Sequence, residues 1–358
     1  MQIGLVGLPG SGKTTLFNLL TGSNHPVGLS GADEIYFGSA AVPDSRIDYL
    51  TSLYQPKKTT YARIDLKDIP GARMDHSKAR AARLLEEARS VDALVQVLQV
   101  FEAEENLGTG IQAQPFLSLR DFETELLLAD IDFLEKRITR LETATKNIKE
   151  NALQIPIYKK LLSALENEQP ISSVNLNDSE KELFRGQVFL TEKPLFLVIN
   201  LDEKQLRSGT YPHREQIAAY IQEKKISHVE VSARIETEIG RLEPEERSVF
   251  MDDLNLEESG LQRLSRAAYQ RLNLISFFTV GEDEVRAWTI KKGTSARQAA
   301  GKIHSDIERG FIRAEIFHYD QLHELGSTVK VREAGHFRLE GKDYIVRDGD
   351  IINFRFNV

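Results

Sequence analysis

Gly7-Leu8-Pro9-Gly10-Ser11-Gly12-Lys13-Thr14 has the composition and spacing of a loop that cradles phosphate, G-x-x-x-x-G-K-[ST]. Glycines at its bends let successive backbone N–H groups converge on phosphate oxygens, and a helix N-terminus behind them adds to the attraction. An ammonium at Lys13 would reach the outer phosphates, and the Thr14 hydroxyl would ligate Mg²⁺. The octapeptide follows a short apolar run, Ile3–Val6, and leads through Thr15 into a helical pattern ending near Leu20, the context that gives the motif its meaning.

Three more segments carry groups that could serve a bound nucleotide. Asp68-Ile69-Pro70-Gly71 matches D-x-x-G: the carboxylate can hold Mg²⁺ through water, and the Gly71 N–H can sense a terminal phosphate. The residue after it, Ala72, cannot orient an attacking water as a glutamine would, so unaided hydrolysis is expected to be slow. Asn200-Leu201-Asp202-Glu203 stands where a guanine-reading loop would carry N-K-x-D. Glu203 is one methylene longer than Asp, which displaces its carboxylate by roughly 1.5 Å and spoils a bidentate bond to guanine. The Asn200 amide is expected to serve the N7/6-amino edge of adenine, and Leu201 to pack over the ring where a lysine stem would lie. Ser232-Ala233-Arg234 resembles the S-A-K loop that supports a base through backbone N–H groups.

These loops need rigid elements behind them. Short runs rich in Val and Ile (Ile3–Val6, Ala93–Leu98, Leu195–Ile199 and Val229–Val231) read as buried parallel strands, and a less buried strand is expected over Tyr61–Asp68. Alternation with helical patterns predicts an α/β doubly wound, mostly parallel sheet over residues 1–274. Residues 115–190 interrupt it. Leu127, Ile131, Leu134, Ile138, Leu141, Thr145 and Ile148 keep a coiled-coil rhythm, and Pro156 is expected to open a second helix, giving an inserted helical hairpin. It could be a rigid spacer or a recognition arm. From Ile275 to Val358 the expected strands are Ser276–Val280, Ala287–Ile290, Glu315–His318, Phe337–Leu339, Tyr344–Val346 and Ile351–Phe356. With one helix, Ser295–Arg309, they imply a small α+β unit.

The 358 residues carry 46 Lys+Arg against 54 Asp+Glu, a net charge of −8, so no global basic field draws the chain onto DNA or an anionic membrane. Absence of cysteine excludes thiol catalysis, disulfides and thiolate metal sites. The N-terminal run lacks a basic flank, and no apolar stretch approaches membrane-spanning length, so the expectation is a soluble cytoplasmic protein. The eight histidines are scattered, which argues against a structural zinc site. Trp288 reads as core rather than a stacking platform. Arg309, Arg313, Lys330, Arg332, Arg338, Lys342, Arg347 and Arg355 could face RNA, but their acidic neighbours favour a mixed-charge surface.

Taken together the motifs resemble the YchF/Obg-like ATPase family across essentially the whole chain. Beyond the loops above, the resemblance rests on Arg120-Asp121-Phe122-Glu123-Thr124-Glu125-Leu126, Leu256-Glu257-Glu258-Ser259-Gly260-Leu261 and Val285-Arg286-Ala287-Trp288-Thr289. It rests also on Gly310-Phe311-Ile312-Arg313-Ala314-Glu315, Leu339-Glu340-Gly341-Lys342-Asp343-Tyr344-Ile345-Val346 and Phe354-Arg355-Phe356-Asn357. The resemblance implies a coiled-coil hairpin, a C-terminal TGS domain of β-grasp type over 275–358, a preference for ATP, and association with ribosomes in translation and stress control.

The chain departs from the family pattern in places. Gly10 replaces the usual Asn that helps hold a monovalent cation in potassium-activated relatives, which speaks against potassium stimulation. The segment after His25-Pro26 offers only Ser30 as a hydroxyl for Mg²⁺, Met74–Leu84 lacks the family's glycine-rich run, and Glu102–Gly110 has no histidine near Gly108, where the family carries one implicated in hydrolysis. The leading expectation is an ATP-preferring, Mg²⁺-dependent NTPase switch. A GTPase of the same fold, or a nucleotide-sensing adaptor that no longer hydrolyses, are the alternatives.

Overall fold

The computed structural model describes residues 1–27, 34–71, 78–101, 114–146, 148–184 and 186–357. Its strands, in chain order, are β1 (Gln2–Val6), β2 (Tyr36–Ala41), β3 (Lys58–Thr60), β4 (Arg63–Asp68), β5 (Ala93–Gln99), β6 (Leu195–Asn200), β7 (Ser227–Val231), β8 (Leu274–Thr279), β9 (Glu284–Lys291), β10 (Phe311–His318), β11 (Arg338–Glu340) and β12 (Asp350–Phe356). They form two six-stranded sheets, ordered β2-β4-β1-β5-β6-β7 and β11-β10-β12-β8-β9-β3.

The chain divides into two compact units, Met1–Gly38 with Asp65–Gly260, and Ser39–Ile64 with Leu261–Val358. This differs from the expected organisation in two respects. The second unit begins before residue 275, and it takes in an excursion from the N-terminal region. Within that excursion the helix Ser45–Tyr54 and strand β3 went unanticipated, because β3 is only three residues long and pairs with a partner more than 200 positions away.

In the first unit β4, β1, β5, β6 and β7 run parallel, each in register with its neighbour, from Gln2↔Asp65 at one side to Phe196↔Ser227 at the other. Strands covered on both faces need continuous apolar sequence. Accordingly Leu94, Val95, Val97 and Leu98 of β5 and Phe196–Ile199 of β6 are all buried.

The insertion is a helical hairpin, but its second helix starts earlier than expected. Helix Pro115–Thr143 is followed by Ile148–Glu166, with Pro156 inside the latter rather than at its start. An interior proline forfeits one backbone hydrogen bond. Its neighbours Ile157, Tyr158, Leu161 and Leu165 close a core with Leu134, Ile138 and Leu141, and that burial offsets the loss. Thr145 falls in the connection and Ile148 is exposed, so the seam stops at Leu141.

The hairpin root is held by Asp130, which is fully buried. Its carboxylate accepts from Leu190 N (3.1 Å), Thr191 N (2.8 Å) and Thr191 Oγ1 (2.9 Å), and pairs with Arg89 at 2.9 Å. A buried charge survives only with such complete pairing.

In the second unit the helix Ala296–Ile303 lies on the sheet, and its fully buried Ala296, Ala299 and Ala300 permit a close approach. The helix expected over Ser295–Arg309 is broken at His304, whose extended backbone and Nδ1 cap a separate short helix, Ser305–Arg309. Tyr344–Val346 forms no strand, only an isolated bridge between Ile345 and Ser295. Trp288 belongs to the core edge: it stacks on Phe277 (6.3 Å between centroids) and donates to Thr279 Oγ1 at 3.0 Å. Among the described residues no helix is long and apolar enough to cross a membrane.

Candidate nucleotide site

The glycine loop joins the end of β1 to the helix Lys13–Thr21. Geometry requires glycine both within the loop and in the turn that packs on it. Gly12 sits at φ +93°, and a Cβ there would lie 2.3 Å from Asn200 Nδ2. Gly71, beyond β4, presses on the loop itself: its Cβ would meet Gly7 O at 2.5 Å and Pro9 N at 2.6 Å. The D-x-x-G turn and the phosphate loop are thus packed backbone to backbone, a juxtaposition the two separate motifs do not announce.

Lys13 is buried, and its Nζ donates to the carbonyls of Gly7 (3.0 Å) and Leu8 (2.8 Å). Burial pulls its pKa down to about 8, against the opposing pull of Asp68. Thr14 Oγ1 donates to Asp68 Oδ2 at 2.6 Å. Among the described residues the other carboxylate oxygen, Asp68 Oδ1, is buried without a hydrogen-bond partner, as is Ser11 Oγ. Burial raises the Asp68 pKa, and the Thr14 hydroxyl, Lys13 and His25 oppose that shift. An orphaned carboxylate oxygen beside a threonine hydroxyl fits a hard cation that takes few protein ligands and completes its shell with water and phosphate. Among the described residues there is no cluster of three or more His, Cys, Asp or Glu that could hold a metal.

On the far side of the phosphate loop from Asp68, Asn200 terminates β6 and spends its amide on neighbours. Nδ2 donates to Ser11 O at 2.9 Å, and Oδ1 accepts from Ala233 N at 3.0 Å. It ties the phosphate loop to the Ser232-Ala233-Arg234 loop, leaving one N–H for a ring acceptor. The two bonds use half of what the amide offers, and the contact expected with the N7/6-amino edge would be made by the other half, one N–H and one Oδ1 lone pair.

Leu201 is displaced from its expected place. It is 3% exposed and packs with Val100, Ile199, Tyr211 and Ile217, so it offers little face to a ring. An apolar side chain gains more from that core than from a solvent-facing crevice. Glu203 opens the helix Glu203–Ser208, and its carboxylate is held by Arg207 (3.1 Å), which also pairs with Asp253 (2.9 Å). Ser232 caps the helix Ala233–Ile239, and Arg234 points outward to Glu238 (3.6 Å). Thr15 begins the body of the helix behind Thr14, and Leu8 is exposed at the loop tip.

Two features escaped the sequence reading. Asn18, four residues beyond Thr14 on the same helix, clamps the backbone of His25: Nδ2 donates to His25 O (2.8 Å) and Oδ1 accepts from His25 N (3.0 Å). The His25 ring stacks on Tyr36 at 4.0 Å. The i, i+4 spacing of Thr14 and Asn18 is the one signal that places Asn18 beside the site. Ser30, Ala72, Met74–Ser77 of the segment Met74–Leu84, and the loop Glu102–Gly110 with Gly108 lie outside the described residues.

Comparison with known proteins agrees with this architecture over the full length. "Ribosome-binding ATPase YchF" of Bacillus subtilis is 39% identical over 367 residues, covering 100% of both chains. The chain belongs to the YchF family. The YchF protein of Haemophilus ducreyi, also named a ribosome-binding ATPase, is 38% identical over 100% of this chain and 99% of its own. A solved structure, the Schizosaccharomyces pombe YchF GTPase, superposes with a TM-score of 0.87 at 31% identity, covering 99% of this chain and 97% of that one. The YchF C-terminal profile, described as a protein of unknown function, matches residues 274–357, and a "50S ribosome-binding GTPase" profile matches residues 2–160. The α/β P-loop fold with a C-terminal domain is therefore that of YchF proteins.

Proposed function

We propose that this chain is a Mg²⁺-dependent, ATP-preferring nucleotide switch that hydrolyses slowly and docks on the ribosome. The observation that carries the reading is the Thr14–Asp68 contact at 2.6 Å, with Asp68 Oδ1 buried and, among the described residues, unpartnered behind a glycine loop. In this reading the backbone of Gly7, Leu8, Pro9, Gly10, Ser11, Gly12 and Thr15 surrounds the phosphates. Lys13 leaves the carbonyls of Gly7 and Leu8 for phosphate oxygens, and Thr14 and Asp68 hold Mg²⁺. The cation, when bound, neutralises charge on the transferring phosphoryl group. Gly71 N–H lies against the loop and reports on the terminal phosphate. Ser232, Ala233 and Arg234 form the floor of the base crevice through their backbone.

The remaining Asn200 N–H addresses N7, an acceptor that adenine and guanine share, so it selects purines rather than adenine. Preference for ATP then rests on Glu203, whose longer side chain is drawn to Arg207 and does not supply the carboxylate that guanine requires. With Ala72 in place of a water-orienting side chain, unaided turnover stays well below about 1 s⁻¹. A partner is expected to supply the missing group. The relatives named ribosome-binding support a ribosomal partner, met by the hairpin and the C-terminal unit, which we read as a TGS module.

GTP is the second reading, favoured by the GTPase name of the fission-yeast structure. Competition of ATP and GTP for one fluorescent purine nucleotide separates the two: ATP displacing the probe at lower concentration supports the proposal, and a preference for GTP overturns its base assignment. Phosphate release by the purified protein tests the rate, and turnover above about 1 s⁻¹ would contradict the switch reading.

A further inference from the structure

The stretch between the two phosphate-facing motifs is built into the other unit. Residues Ser39–Ile64 belong with Leu261–Val358, so the chain leaves the nucleotide unit inside β2 and re-enters it inside β4.

Within the second unit the excursion is pinned at three points. At the start of the helix Ser45–Tyr54, Arg46 bridges Asp44 and Asp348, each at 2.8 Å, and lies 5.1 Å from the centre of the Phe278 ring. Asp348 in turn accepts from Ser276 N at 2.8 Å. At the end of the helix, the Tyr54 and Thr328 hydroxyls meet at 2.6 Å. Strand β3 then pairs with β9 in parallel, Lys58↔Glu284 to Thr60↔Arg286, after Lys57 N donates to Glu282 O at 3.0 Å. A half-buried arginine holding two carboxylates is worth more than an exposed pair, because solvent screens it less.

The two strands that carry the excursion differ in freedom. β4 is locked in register with β1 from Gln2↔Asp65 to Leu5↔Asp68. Among the described residues β2 is an edge strand, paired on one side only. Its first residue, Tyr36, stacks on His25, which is clamped to Asn18 on the Thr14 helix. An extended strand has no slack, rising about 3.3 Å per residue, so displacement at one end is felt at the other.

We propose that Ser39–Ile64 couples the C-terminal unit to the nucleotide loop. Binding of a partner on the C-terminal unit and binding of Mg²⁺–nucleotide bias one another through β2 and its Tyr36–His25–Asn18 end. Arg46 is the positioning residue that pins the segment. The coupling deepens the nucleotide reading above and rests on it. By linkage the effect is reciprocal, and couplings of this kind are typically worth about fivefold or more in affinity.

Hydrogen exchange of the full chain, with and without a non-hydrolysable ATP analogue and Mg²⁺, tests it. Binding is expected to protect the amides of residues 7–14 and also to change exchange at Lys57–Thr60 by about fivefold. In parallel, Arg46→Ala is expected to change the ratio of affinities for the ATP analogue and ADP by about fivefold. Ile316→Val, a cavity in the core of the same unit, should leave that ratio unchanged, so a merely structural loss is distinguished. Protection of residues 7–14 with no change at Lys57–Thr60 and an unaltered ratio in Arg46→Ala overturns the coupling and leaves the nucleotide reading intact. No protection of residues 7–14 overturns both.

Discussion

Replacing Asn200 with alanine separates a loop clamp from a base reader. The side chain is 3% exposed and makes two hydrogen bonds to backbone groups on different loops, Ser11 O at 2.9 Å and Ala233 N at 3.0 Å. Asn200→Ala removes both partners and leaves a buried carbonyl and a buried N–H, each costing about 1–3 kcal/mol if nothing replaces the lost bond. Water admitted to the void recovers part of this, so the expected loss is about 2–4 kcal/mol of stability in the first unit. The phosphate loop loses its tie as well, and a penalty of about 2 kcal/mol on binding lowers affinity roughly 30-fold. Because the clamp serves the loops and the spare N–H meets N7, ATP and GTP should weaken together, their ratio moving by less than about twofold. Denaturant unfolding and competition against a fluorescent nucleotide read both quantities. Unchanged stability with a shifted ATP:GTP ratio would refute the reasoning and restore Asn200 as the base-selecting group.

Gly71→Ala forces backbone apart, since its Cβ would stand 2.5 Å from Gly7 O; a displacement approaching 1 Å at the phosphate loop should lower kcat/KM about 100-fold, measured by phosphate release. Lys13 predicts opposite pH trends for binding and folding. With its pKa held down at about 8, the free protein loses the ammonium as pH rises from 7 to 9, while phosphate favours the charged form. Nucleotide affinity should therefore fall about tenfold by pH 9, with proton uptake visible in titration calorimetry. Stability moves the other way. The unfolded lysine titrates near 10.5, so the folded chain gains stability between about pH 8 and 10.5 as the proton-binding advantage of the unfolded state disappears. Asp130→Ala at the hairpin root strands Arg89 and should cost about 3–5 kcal/mol in chemical denaturation. A loss under 1 kcal/mol would show that the buried pair is dispensable.

The parts of this protein that its sequence discloses are those whose signal is local. The glycine loop and Asn200 stand at the ends of short apolar strands and Asp68 at the end of a strand of alternating charge, and chemistry at a strand end is written in consecutive residues. Leu134, Ile138 and Leu141 likewise announce the hairpin by spacing alone. What the sequence withholds depends on distant partners. Nothing near Lys58–Thr60 tells that its mate is Glu284–Arg286, so the excursion into the second unit went unseen. Pro156 misled because local preference puts a proline at a helix start, while Tyr158 and Leu161 pay for it inside one. Leu201 and Asn200 were assigned to the base by position in a motif. The structure gives the leucine to the core and half of the amide's hydrogen-bonding capacity to two loops, choices settled by packing across β6 and β7.

The most direct measurement is calorimetric titration of a non-hydrolysable ATP analogue into the wild-type protein and Asp68→Asn, each with and without Mg²⁺. The account predicts saturable binding that Mg²⁺ tightens in the wild type, with that enhancement largely gone in Asp68→Asn, whose amide places an N–H donor where a cation ligand is needed. Equal affinity with and without Mg²⁺, or an enhancement that survives in Asp68→Asn, would contradict it.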